Sequence, residues 1–329
     1  MKRVLYGAAL LALAFLLGGC FKHSPSLLDP HGSESHTLAG IWWLMFGLAA
    51  GVYGIVGGLI IWAVLRGRRA AAPLEGGPSG TTWIVWGGVV VPVIILGVLA
   101  WTTVEAVAEL RNPQPGAVHV EVTGHRWWWA VSYPDAAVTT ANEVHLPVGR
   151  QAEIGLSTDD VIHSFWVPQL AGKLDMIPGQ HNILRFTPTA VGVYRGECAE
   201  FCGIEHAKMN FVVIVQTQAQ FSAWLARAQL TPSPPDGEAA QRGELVFQRE
   251  PCAGCHTIKG TQAQGTLGPD LTNIGSRTTL GAGTIPNTTG NLAGWIANAQ
   301  AIKPGALMPP VALSASDLHD LVTYLEGLK

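Results

Sequence analysis

Hydrophobic positions along the chain fall into three successive patterns. Residues 37–65 and 76–104 are two apolar runs without a charged side chain. A membrane-spanning helix needs about 20 apolar residues, so each run suffices, and the helices are expected at about 37–65 and 81–104. Gly47, Gly51, Gly54, Gly57 and Gly58 give the first helix small residues suited to packing against other helices. Pro92 predicts a kink in the second, because its ring removes a backbone donor. From about 113 to 217 the pattern shortens to β-like runs at 118–122, 127–132, 143–148, 153–157, 181–187 and 211–215. Gly, Pro, Asp and Asn separate them, as in a β-sandwich or barrel. Helical spacing returns over 218–229, where Phe221, Trp224 and Leu225 share a face. The polar stretch Thr231-Pro232-Ser233-Pro234-Pro235-Asp236-Gly237 is a stiff linker. Helices are expected beyond it at 238–248, 291–299 and 316–328, with a long Gly/Pro-rich loop between the first two.

This divides the chain into an export signal (1–20), a transmembrane hairpin (37–110), a β-domain (113–218), a helix with linker (219–236) and an α-helical domain (237–329). Charge sets the topology. Lys2 and Arg3 precede an apolar stretch ending in Leu17-Gly18-Gly19-Cys20, an export signal whose end resembles the lipobox of bacterial lipoproteins. Lipidation of Cys20 is the expectation, with an ordinary signal as the alternative. Arg66, Arg68 and Arg69 lie in a short loop and place it in the cytoplasm. Both ends of the hairpin are then outside, in agreement with the signal. The expected location is the bacterial cytoplasmic membrane, with both soluble domains on its extracytoplasmic face. The net charge of −3 gives no argument for nucleic acid.

Candidate chemistry sits in two cysteine pairs. Cys198, Cys202, His206 and Met209 fall within twelve residues, a soft ligand set that selects copper, zinc or iron–sulfur. The thioether favours copper over a zinc loop; a Cys198–Cys202 disulfide is the other alternative, and it needs neither His206 nor Met209. Two bridging thiolates would leave one metal short of a nitrogen ligand, and His163 is the best donor elsewhere. The second pair, Cys252-Ala253-Gly254-Cys255-His256, is the C-x-x-C-H signature of haem c attachment; a redox dithiol or half a zinc site are the alternatives. Met308 is the expected second axial ligand, a His/Met pair that suits electron transfer.

The Cys198-x-Glu200-x-Cys202-x-x-x-His206-x-x-Met209 loop, Asp160-Val161-Ile162-His163-Ser164-Phe165, Gly124-His125-Arg126-Trp127-Trp128-Trp129 and Lys173-Leu174-Asp175-Met176-Ile177-Pro178-Gly179 resemble subunit II of the haem–copper cytochrome c oxidases. Residues from about 237 resemble a class I cytochrome c. The resemblance implies a cupredoxin-like barrel holding a binuclear copper centre, CuA. Cys198 and Cys202 would bridge the coppers, His163 and His206 would be terminal ligands, and Met209 and the Glu200 carbonyl axial ones. It implies that the Glu200 carboxylate binds magnesium at the contact with subunit I, and that electrons enter CuA through Trp127. In the C-terminal domain it implies covalent haem on Cys252 and Cys255, with His256 and Met308 on the iron. Electrons would come from an external donor, such as a soluble cytochrome or a cytochrome bc complex. They would pass through haem c and CuA to haem a in subunit I, where oxygen is reduced, and subunit III is a further expected partner. One departure concerns the acid often found before the second helix: Glu75 is the nearest. A nitric oxide reductase subunit and a free-standing membrane-anchored carrier are the alternatives; a quinol oxidase subunit would lack the copper ligands.

Overall fold

The structure, a computed structural model, describes residues 25–67 and 80–329. The export-signal stretch with Cys20, and the loop holding Arg68, Arg69 and Glu75, lie outside the described residues. Helix α1 spans Ser33–Gly67. The second helical stretch comprises α2 Gly80–Val85, a π-helical turn Trp86–Val90 and α3 Val91–Leu110. Both stretches are long and apolar enough to cross a membrane, with mean hydropathies of 2.2 and 2.4. The disturbance expected at Pro92 takes the form of that π turn: the Val91 N–H bonds back to Trp86 O just before the proline.

The first turn of α1 is fastened to the β-domain. Ser33 N–H donates to Thr187 O at 2.9 Å, and Thr187 N–H returns a bond to Ser33 Oγ at 2.9 Å. Ser35 Oγ donates to Gln169 O at 2.8 Å. Only glycine fits at position 32, where a Cβ would lie 2.1 Å from Leu170 O.

Ten strands form the β-domain: β1 Val118–His125, β2 Trp128–Tyr133, β3 Val138–Ala141, β4 Glu143–Pro147, β5 Ala152–Thr158, β6 His163–Trp166, β7 Leu174–Met176, β8 Asn182–Phe186, β9 Gly192–Cys198 and β10 Asn210–Gln216. They make two five-stranded sheets ordered β3-β2-β1-β5-β8 and β4-β10-β9-β6-β7, the cupredoxin-like arrangement. Val118, Val120 and Val122 alternate inward from β1 and meet Trp129, Phe165, Phe186 and Phe211 in one core. Four of these strands carry no expected run. β6 is buried at three of four positions, so its sequence does not alternate. β9 contains Gly196, where a Cβ would sit 2.2 Å from the Phe211 ring, and the glycine dilutes its strand signal.

Helix α4, Gln218–Ala228, opens on a capping box between Thr217 and Gln220. The C-terminal module contains α5 Glu238–Arg249, the short α6 Cys252–Cys255, α7 Thr289–Ile302 and α8 Ala315–Gly327. It also has a two-residue ladder, β11 Thr279–Leu280 with β12 Ile285–Pro286. α5 crosses α8 closely because Gly243 has no side chain: a Cβ there would be 2.0 Å from Asp320 O. Arg242 closes the crossing with a two-pronged bond to Asp320 at 2.7 and 3.1 Å.

Candidate metal centre and haem cavity

The sulfur site is built where two strands of one sheet end. His163 opens β6 and Cys198 closes β9, and the two strands pair directly. The loop after Cys198 returns on itself, with Cys198 N–H donating to Met209 O at 3.0 Å and Ala199 N–H to Ser164 O at 3.0 Å. This folding brings the ligand atoms of His163, Cys198 and Cys202 within 4.8 Å of one another. The two sulfurs are 3.8 Å apart, far beyond the ~2.0 Å of a disulfide, and both cysteines are free. His163 Nδ1 lies 3.8 Å from Cys198 Sγ, and His206 Nδ1 lies 3.6 Å from Cys202 Sγ. Met209 Sδ is 3.7 Å from Cys202 Sγ, and Glu200 O is 3.2 Å from Cys198 Sγ. Imidazole, thiolate, thioether and carbonyl donors thus converge in a buried space, a set that fits copper. The Glu200 carboxylate points elsewhere, with Lys173 Nζ at 3.7 Å.

A residue outside the expected ligand set orients this site. Asp160 Oδ1 accepts from His163 Nε2–H at 2.9 Å, which leaves Nδ1 free to face the sulfur. Asp160 is itself fixed by the backbone N–H groups of Val161 and Arg126 at 2.6 and 2.7 Å. Burial alone would lower the His163 pKa, but Cys198 and Asp160 outweigh it and hold the imidazole above its ordinary value. Hydrogen bonding from Cys202 holds Cys198 well below the usual thiol range, and the same contact pushes Cys202 up. One thiolate is thereby favoured. Gly124 completes the cradle, since a Cβ there would lie 2.9 Å from the His163 ring.

The second site is an apolar cavity of about 360 Å³ in the C-terminal module, lined by Cys252, Cys255, His256 and Met308 together with Phe247, Trp295 and Leu325. His256 Nδ1–H donates to Pro269 O at 2.7 Å, so Nε2 remains available to a metal. Burial keeps the imidazole below its ordinary pKa and so neutral. Gly268 gives it room, since a Cβ there would sit 2.5 Å from the ring. Gln300 holds the Met308 segment by donating to the carbonyls of Ala306 and Met308 and accepting from Gly305 N–H. Arg277 is buried against the cavity, and its Nε has no hydrogen-bond partner. A large apolar hollow with two thiols, a neutral imidazole, a thioether and a buried guanidinium that keeps one N–H free fits a haem with its anionic carboxylates.

The two sites meet at one aromatic side chain. Arg126, Trp127 and Trp128 from the β-domain form part of the cavity wall, and Trp127 Nε1–H donates to Cys202 O at 3.1 Å. Gly203, at φ +125°, lies under the indole, where a Cβ would be 2.9 Å from the ring. Trp129, by contrast, is fully buried in the core, and Trp128 stacks on His125 at 4.4 Å. Gln300 and Arg277 were not singled out in the sequence, and Asp160 stood there only within the 160–165 motif with no role, since each acts through a fold-dependent contact and none falls in a periodic pattern. Asp160 had one usable signal, its position three residues before His163.

Comparison with known proteins gives a family for each soluble module. Residues 136–216 match the family of cytochrome c oxidase subunit II periplasmic domains, and residues 240–329 match the cytochrome c family. A cytochrome c oxidase subunit 2 from Alkalihalophilus pseudofirmus is 33% identical over 327 residues, spanning 96% of this chain and 95% of the relative. A second, from Bacillus subtilis, is 30% identical over 345 residues, spanning 97% and 96%. The crystal structure of the periplasmic domain of cytochrome oxidase subunit II of Bradyrhizobium japonicum is 28% identical, with TM-score 0.34, and covers 36% of this chain and 96% of that one. Relatives that run nearly end to end with this sequence, together with a copper-type ligand cluster and a haem-sized cavity in one chain, establish that it belongs to the cytochrome c oxidase subunit 2 family.

Proposed function

We propose that this chain is the electron-input subunit of a membrane-bound haem–copper cytochrome c oxidase, with oxygen reduced in a partner subunit I. When bound, the haem and the copper pair supply one-electron transfer from an external donor towards that subunit. The chain's own residues do the rest. Cys252 and Cys255 would hold the haem covalently, and His256 and Met308 would supply ligands to its iron. His163, His206, Cys198, Cys202, Met209 and the Glu200 carbonyl hold copper, and Asp160 fixes the His163 ring. The sulfur site keeps its geometry through the two strands that carry it. The single observation that supports the relay best is Trp127, which lines the haem cavity and bonds to the backbone of Cys202.

The apolar helices anchor the chain in the membrane, and the arginine-bearing loop puts the soluble modules on the extracytoplasmic face. The Glu200 carboxylate is 44% exposed and is available to magnesium where subunit I docks. The test is metal and haem analysis of the purified full chain. Two coppers and one haem that survives denaturation are expected; a single copper, or haem released by denaturant, would sink the proposal. Co-purification with a large membrane subunit carrying further haem would separate it from a free-standing carrier.

A further inference from the structure

The seam between the two soluble modules is built round a buried lysine. Lys303 follows the last turn of α7 and is only 2% exposed. Its Nζ donates to Trp127 O at 2.8 Å, Lys208 O at 2.7 Å and Gly281 O at 2.9 Å. An ammonium has three N–H groups and no acceptor, so every donor is used. Two of the carbonyls belong to the β-domain and one to the haem module. Burial pushes the amine down to about 8, with Glu205 and Cys202 raising it and Lys208 lowering it; it is still a cation at neutral pH.

The surrounding contacts follow the same plan. Lys208 Nζ donates to Ile302 O at 2.9 Å, and Asn210 N–H to Ala282 O at 2.9 Å. Glu143 accepts from the amide and hydroxyl of Thr278 at 2.7 and 2.6 Å. Lys303 and Gln300 lie three residues apart at the end of α7. Gln300 holds the segment reaching Met308, while Lys303 holds the seam. Gly305, between them and Met308, adopts φ +91°, a conformation that favours glycine, and lies against the Ile204 side chain.

We propose that Lys303 is a positioning residue for electron transfer: its ammonium pins the Met308 segment to the backbone of Trp127 and of the copper-ligand loop. This rests on the electron-input function proposed above. The lysine fixes how the two centres face each other and touches neither. Transfer here moves one electron from reduced haem iron to the oxidised copper pair, with no bond made or broken, so relative placement of the modules is what a residue at the seam can control.

The test uses the full chain in detergent, comparing wild type with K303M and K303R by hydrogen exchange and by haem-to-copper transfer after photoreduction. In K303M the amides of Asn210 and Thr278 should exchange at least about tenfold faster, equivalent to about 1.4 kcal/mol. The Val213 and Leu156 amides inside the sheets should be unchanged, copper and haem content should be retained, and transfer should slow. K303R should recover part of both effects, because it keeps the charge but its planar fork cannot converge on three carbonyls. Unchanged seam exchange in K303M, or faster exchange spread equally through the sheets, would overturn the proposal. If K303M does not accumulate, K303Q must be looser at the seam than K303R, and equality or the reverse order overturns it. Missing copper or haem in the wild-type chain would instead overturn the proposed function, since seam exchange is read without either.

Discussion

The copper-type site and the haem cavity solve the problem of holding a redox centre in opposite ways. In the first, two hydrogen-bonded strands deliver His163 and Cys198, and the ligand atoms are already gathered within 4.8 Å. The site is the end of a sheet, where Cys198, Cys202 and Met209 border a core already filled by Trp129, Phe165 and Phe211. In the second, the centre of the module is itself the hollow. Phe247, Leu321 and Leu325 are core residues that also line the cavity. A cofactor at the edge of a complete core adds function; a cofactor in place of the core adds stability as well.

The largest effect should come from emptying the hollow. The space is about 360 Å³ and its walls are largely the module's own apolar core, so leaving it unfilled costs packing that a marginally stable domain needs. Cys252→Ala with Cys255→Ala should therefore leave the haem module unfolded or molten while the β-domain stays folded. Limited proteolysis should remove residues beyond the 231–237 linker and spare the rest. Equal resistance of the two modules would break the contrast.

At the sulfur site the same test gives a smaller, purely local change. Asp160→Asn should weaken copper binding by about 10–100-fold, the usual cost of losing the group that orients a metal-bound histidine. Copper titration would measure this, and the thermal midpoint of the metal-free β-domain should barely move. A large loss of metal-free stability would mean that this module, too, depends on its site to stay folded.

The smallest effect expected is at the seam in acid. Burial raises the Glu143 carboxyl, but His145 at 3.8 Å, the Thr278 amide and hydroxyl, and the Arg277 charge outweigh it and hold it below its ordinary value of 4.5. A carboxyl lowered in the folded state contributes stability above its unfolded pKa, and that contribution is lost as pH falls through the folded one. Exchange at the Thr278 amide, corrected for its intrinsic rate, should accelerate below about pH 4.5 in wild type and show no such step in Glu143→Gln.

How much of this was legible in the sequence follows from how local each feature is. The two cysteine motifs place their ligands within a few residues, and the apolar runs at 37–65 and 76–104 state their helices by length. His163 was found by counting the ligands that the loop left unsupplied. The seam was invisible for the opposite reason. Lys303 and Trp127 are 176 residues apart, and Glu143 and Thr278 are 135 apart, with no periodicity or spacing linking them. β9 escaped because Gly192 and Gly196 interrupt its pattern, though Gly196 is there to admit the Phe211 ring. Residues chosen for a neighbour far along the chain look like noise when read alone.

The fastening of Ser33 and Ser35 to the β-domain makes the first membrane helix a shaft keyed to the body above it. Each residue along that shaft advances about 1.5 Å and turns about 100°. The direction in which Gly47, Gly51, Gly54 and Gly58 look within the bilayer is therefore set by their count from Ser35, and so is the compass bearing of the copper-ligand loop over it. One residue inserted between them would leave every local contact intact and put the two faces a quarter-turn or more out of phase.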